Sequence, residues 1–323
     1  MFINDVFPTL TQWAQKNLSG RDRTIFDEYH HVVQYHLSQA DEASRDSSSS
    51  LWQFQCAGNP AKDEVFVLGF SANSLAKNGD FAIREAASAI DTGLLMVNHI
   101  LKLGIDQTRI WWGLSAKEGP LKTAVRNMDK NKGSGLMGAL DSVFGSIGYE
   151  LLIGYRNWVT HRGAPSVIVP DELNRPIPIP KEAIKSSEPK ARNWFIETYL
   201  FATIPSKILV TCWPFVPPVS AVLNAQINEA ESDIVLPGIK IGKGARNISI
   251  KDMRIVAGDL TMNADQFKKQ NSILLEKNQA KVAGEDLAVY TGIDYVQAVG
   301  SVVRFARTVL TGVWDSELGK LCA

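Results

Sequence analysis

The sequence predicts a mainly α fold, a helical bundle over roughly the first two hundred residues followed by a smaller α+β part. Three observations carry this reading. Apolar residues recur every three or four positions through three long segments of the first half, as they do on amphipathic helices. Short β-like runs punctuated by proline and glycine gather after Ile208. The composition, 45% hydrophobic and 21% charged over 323 residues, is that of a globular chain able to bury a sizeable core.

Taken in order, Ile25, Tyr29, Val32, His36, Leu37 and Ala40 give one apolar face to a first helix over 21–43. The segment 43–50, with serines at 47 to 50, reads as a loop, and Val65-Phe66-Val67-Leu68 within 64–70 as a short strand. Asp80 suits the N-cap of a second helix to Leu103, with Ile83, Ala87, Ile90, Leu94, Val97 and Leu101 on one side and Gly104 as its stop. Leu136, Leu140, Val143, Ile147, Leu151, Tyr155 and Trp158 mark one long helix that Gly163 and Pro165 end. Gly138, Gly145, Gly148 and Gly154 lie inside it, each costing about 1 kcal/mol relative to Ala. Their presence implies a kink or a close helix neighbour, and a second copy of the chain is the neighbour we expect, hence a homodimer or higher oligomer.

The proline-rich 165–180 reads as an extended connection and 190–203 as a helix. Strands are expected within 208–222, 233–241 and 248–257, then helices over 263–283 and 286–310. A domain boundary is placed near Ile204, giving a helical domain over 1–204 and an α+β domain over 205–323.

Charge excludes some classes of partner and narrows others. Lys+Arg and Asp+Glu number 34 each, so a nucleic-acid partner must rely on a local patch. One candidate is 117–132, where Lys122, Arg126 and Lys130 join Lys117 and Lys132 against Glu118 and Asp129. A second is the glycine-rich 238–254, with Lys243 and Arg246 on an expected hairpin that lacks phosphate-loop spacing. Both are also what an ordinary solvated face looks like. Cys56, Cys212 and Cys322 are far apart, which fits a reducing cytoplasm and offers no zinc site. The start of the chain does not read as a signal peptide, and the apolar stretch 208–225 contains Pro214, Pro217 and Pro218, so no membrane association is expected.

The chemistry concentrates at Arg156-Asn157-x-x-x-His161, where the long helix is about to end, followed by Arg162-Gly163. Arg is the natural phosphate clamp through its planar fork, and His is the side chain suited to moving protons near neutrality. Five helical steps place Arg156 and His161 about 140° apart, so they share a site only if the helix unwinds before Gly163. The same cations could equally satisfy the last carbonyls and dipole of the helix. Arg23 and His30 have a related spacing but lack the Asn and lie within a helix, where they read as a polar face. His30, His31 and His36 with Asp27 and Glu28 show no metal-ligand spacing.

Arg156-Asn157-x-x-x-His161 at a helix end resembles the R-x4-6-H motif of the HEPN superfamily, over roughly the first 200 residues. The resemblance implies a compact helical, commonly dimeric domain and a metal-independent, cofactor-free endoribonuclease of toxin or antiphage-defence type. In that reading His161 moves protons between the ribose 2′-hydroxyl and the leaving 5′-oxygen, Arg156 stabilises the charged phosphorus, and Asn157 orients the phosphate or His161. The site would be composite, built where two protomers meet. RNA is the implied substrate, contacted by Lys122, Arg126, Lys130, Arg162, Lys243 and Arg246, with an antitoxin or other regulatory partner. The alternative is the same fold without catalysis, as an RNA-binding or protein-interaction scaffold.

Overall fold

A computed structural model describes residues 6–56, 65–114, 117–132, 136–168, 208–216, 235–236, 239–240, 260, 265–266, 269, 279–282 and 285–318. Seven α-helices are present among these residues: α1 (Pro8–Asn17), α2 (Gly20–Cys56), α3 (Val65–Ile100), α4 (Pro120–Lys132), α5 (Leu136–Phe144), α6 (Ile147–His161) and α7 (Gly292–Thr308). A π-helix over Val309–Leu318 continues from α7. The fold is mainly α with a small sheet, as the periodicity implies.

The paired long helices α2 and α3 form the frame. His36 Nδ1 lies 2.7 Å from Glu85 Oε2, Ser47 Oγ donates to the Leu75 carbonyl at 2.9 Å, and His99 Nε2 meets the Asp22 carbonyl at 2.9 Å. Later residues of α2 thus face earlier residues of α3, which makes the pair antiparallel. The expected loop at 43–50 is helix instead. Ser48 and Ser50 turn their hydroxyls back onto the carbonyls of Ser44 and Asp46, and Ser47 is buried against α3, so packing overrides the poor helix propensity of serine. The expected strand at 64–70 likewise opens α3. Four consecutive apolar residues fit a buried helix as well as a strand.

Asp80 is not a cap. It lies mid-helix in α3, 8% exposed, accepting from the Tyr155 hydroxyl at 3.0 Å and pairing with Arg84 at 2.8 Å. Burial pushes its carboxyl above the ordinary range, outweighing the opposing pull of Arg84 and Tyr155. An acid whose folded pKa lies above its unfolded value holds its proton more tightly in the native state. Stability is therefore lost as pH rises from the ordinary aspartate value, about 3.9, through the raised one. We expect Asp80→Asn to flatten this limb, measured as urea midpoints across the acid range, and an unchanged slope would contradict it.

Four strands form one antiparallel sheet in the order β3-β4-β8-β7, with β3 at Ser166–Ile168, β4 at Leu209–Cys212, β7 at Gln279–Val282 and β8 at Glu285–Thr291. Two-residue pairs complete the strands: β1 (Gly113–Leu114) with β2 (Lys117–Glu118), and β5 (Val235–Leu236) with β6 (Ile239–Lys240). Strands fall within the expected 208–222 and 233–241 segments, whereas 190–203 and 248–257 lie outside the described residues. Two expected helices hold only in part: residues 265–266 and 269 are helical and 292–308 is α7. The expected helix over 263–283 has β7 at its end, and the one over 286–310 begins as β8. Val289, Tyr290 and Thr291 favour a strand, and β8 is held between β4 and β7 before Thr291 caps α7 by accepting from Asp294 N at 3.1 Å.

One hydrophobic core joins these parts. α7 packs on both α2 and α3, the Tyr295 hydroxyl donates to the Ala76 carbonyl at 3.1 Å, and Arg307 pairs with Asp41. Ile204, where a boundary is expected, lies outside the described residues, and the sheet and core draw on chain from both sides of it.

Candidate nucleic-acid interface

The single helix expected over 136–158 is two. α5 stops at Phe144, the chain turns at Gly145, and Ser146 caps α6, its hydroxyl accepting from Tyr149 N at 3.4 Å. The glycines account for the geometry from within the chain. A Cβ on Gly148 would sit 2.6 Å from the Leu260 carbonyl and 2.7 Å from the Phe305 ring of α7, and one on Gly154 would sit 2.8 Å from Trp213 Nε1. Gly138 faces open space. The close approaches at Gly148 and Gly154 are thus filled by this same chain, and they no longer argue for a second copy.

α6 stays helical through His161, and Arg162 is its C-cap, donating from its N–H to the Trp158 carbonyl at 2.7 Å. The helix therefore does not unwind before Gly163. Positions 154, 157, 158 and 161 follow helical spacing and share one side. There Gly154, Asn157, Trp158, His161 and Arg162, with Trp213 from the segment after β4, line an open groove of about 520 Å³. Asn157, His161 and Arg162 are exposed, Trp213 is half-buried and Trp158 is 4% exposed.

Arg156 is not part of this groove. Its guanidinium turns to α3 and ion-pairs with Asp91. Of the three residues expected to be catalytic, the fold brings Asn157 and His161 together and sets Arg156 aside. Asp91 keeps 45% of its side chain exposed, yet the surrounding protein pushes its carboxyl upward while the facing Arg156 pulls it down. Nearby, burial and the Asp91 charge push the Tyr149 hydroxyl above its ordinary value, against the opposing charge of Arg156. We expect a double-mutant cycle of Arg156→Ala and Asp91→Ala in urea unfolding to give a favourable coupling of about 0.2–1 kcal/mol, as partly exposed pairs do. No coupling at all would mean that the pair does not hold α6 to α3.

The basic cluster at 117–132 lies largely on α4. Lys122 pairs with Asp141 at 2.6 Å, and Arg126 grips Glu118 with two donors. Both cations are thus locally compensated. Lys130 belongs to α4, and Lys243 and Arg246 lie outside the described residues. Among the described residues there is no group of three or more His, Cys, Asp and Glu able to hold a metal ion, and no helix long and apolar enough to cross a membrane.

Sequence reasoning missed Asp91 and Trp213. A lone carboxylate between Ile90 and Thr92, in an otherwise apolar stretch, is a signal for a cation partner. Trp213 carries no such signal, because nothing in sequence spacing ties it to α6. No family model, curated protein or solved structure matches the chain.

Proposed function

We propose that the groove at the end of α6 binds and cleaves RNA without a metal ion, with the proton transfer by His161 that the resemblance of Arg156-Asn157-x-x-x-His161 to the HEPN motif implies, and with Arg162 in the phosphate-binding role that the motif gives to Arg156. The observation that supports it is the convergence of an imidazole, a guanidinium and a carboxamide on one groove with tryptophan walls. His161 takes the proton of a ribose 2′-hydroxyl and the 2′-oxygen bonds to phosphorus. The bond to the 5′-oxygen breaks, and that oxygen leaves as a hydroxyl with the proton that the imidazolium of His161 hands on. Arg162 and Asn157 donate hydrogen bonds to the phosphate oxygens as charge builds on them. Arg156 positions α6 through Asp91 rather than touching phosphate.

The products are a 2′,3′-cyclic phosphate and a 5′-hydroxyl, and DNA, which lacks the nucleophile, is not cut. RNA incubated with the purified protein in EDTA should yield those ends. Intact RNA under all conditions would remove the nuclease reading. A non-catalytic RNA-binding module is the second reading, favoured by the Arg156 to Asp91 pair, which withdraws from the groove the cation that the motif assigns to phosphate. It predicts RNA binding with no cleavage. A homodimer and a regulatory partner remain part of the proposal through the resemblance alone.

A further inference from the structure

We propose that Trp213 is a base-stacking platform of the groove, so that the ligand is a single strand with an unstacked base. This rests on the RNA reading above.

The two tryptophans of the groove differ in what they offer. Trp158 is 4% exposed, packed beside Tyr155 at 5.9 Å between centroids, with its ring so close to Gly163 that a Cβ there would meet it at 2.5 Å. It is a wall with little ring surface to give. Trp213 is half-buried, and its ring edge rests on Gly154, where the missing side chain opens the place it occupies.

Its backbone is held on both sides. Cys212, immediately before it, is fixed in β4 opposite Ala288, and Phe215, two residues on, is fully buried against Tyr155 and Tyr290. An aromatic ring held this way loses little freedom on binding.

Position along α6 supplies the second argument. At 1.5 Å per residue, Asn157 lies about 5 Å and His161 about 10 Å along the axis from Gly154. A base on Trp213 therefore lies within a nucleotide or two of a phosphate held by Asn157, His161 and Arg162. The groove volume is in the range of small-ligand sites, roughly 300–1,000 Å³, which suits one splayed nucleotide. A base inside a duplex has both faces occupied and cannot stack here. Stacking is tolerant of sequence, since every base has a π face.

The test uses the full chain and dye-labelled short RNAs read by anisotropy at fixed salt: a base-bearing single strand, the same strand with abasic riboses, and a duplex. The parent should bind the base-bearing strand about ten-fold or more tighter than the other two. Trp213→Phe should keep that preference and Trp213→Ala should abolish it. Trp213→Leu, which retains apolar bulk over Gly154 without a π face, should also abolish it and serves where the Ala variant does not fold. Equal binding of the base-bearing and abasic strands by the parent, or an undiminished preference in a folded Leu or Ala variant, overturns the stacking role and leaves the RNA reading standing. Failure of the parent to bind any of the three RNAs removes the RNA reading itself.

Discussion

His161→Ala is expected to lower RNA cleavage by about a hundred- to ten-thousand-fold, the usual contribution of a positioned proton-transfer group. The side chain is exposed on the last residue of α6, and it is not what closes the helix. That end is closed by the backbone N–H groups of Arg162 and Gly163, which both donate to the Trp158 carbonyl. Stability should therefore change by no more than about 1 kcal/mol, the size of a charge effect at a helix end. RNA affinity should fall little, because Arg162 and Asn157 remain to hold phosphate. A large fall in turnover with binding and fold preserved marks an interaction made in the transition state alone. His161→Gln, which can donate a hydrogen bond but cannot shuttle a proton at neutral pH, should be as inactive as the Ala variant. A well-folded His161→Ala protein that cleaves at the parental rate would end the catalytic role, and a parent that binds RNA yet never cleaves it would leave the module reading.

What the sequence disclosed about this site, and what it hid, follows from the physics of each signal. The long helical periods of α2, α3 and α6 are local properties and were legible, as was the ending of α6 near Gly163. The break at Gly145-Ser146 was not, because apolar spacing continues unchanged across it while the chain direction changes. Serines 47 to 50 read as a loop because of a weak helix propensity, a difference of tenths of a kcal/mol that the burial of the neighbouring Ala43 and Leu51 in the core exceeds. The 140° between Arg156 and His161 states the condition on which the motif could close, that the helix unwinds before Gly163. The missing information was long-range. Only the fold shows that the helix runs on to His161, that Asp91 lies 65 residues away in sequence to claim Arg156, and that Trp213 crosses Gly154.

Trp314→Ala is expected to have the largest effect on stability, about 3–5 kcal/mol. Trp314 lies in the π-helix and is fully buried, edge-on to Phe144 of α5 with centroids 5.5 Å apart. Its indole N–H donates to the Gly93 carbonyl of α3 at 2.9 Å, and a Cβ at Gly93 would stand 3.2 Å from that nitrogen. The next residue, Asp315, accepts from the backbone N–H groups of Thr9 and Leu10 at 3.1 and 2.9 Å, so the same turn holds the start of α1. Truncation leaves a cavity where α3, α5 and the π-helix meet and deprives a carbonyl in mid-helix of its second partner. Against a typical total of about 5–15 kcal/mol, that is about a fifth or more of the stability of the chain. Trp314→Phe separates the two contributions, since it fills most of the volume but cannot donate, and it should cost about 1–3 kcal/mol. Urea midpoints with an unchanged slope give both values directly. If Trp314→Ala lies within about 1 kcal/mol of the parent, the π-helix does not clamp α1, α3 and α5 together. If it falls in the expected range, RNA binding by the folded fraction should still match the parent, because the groove on α6 is built from Asn157, His161, Arg162 and Trp213, whereas the indole meets Gly93 of α3 and Phe144 of α5.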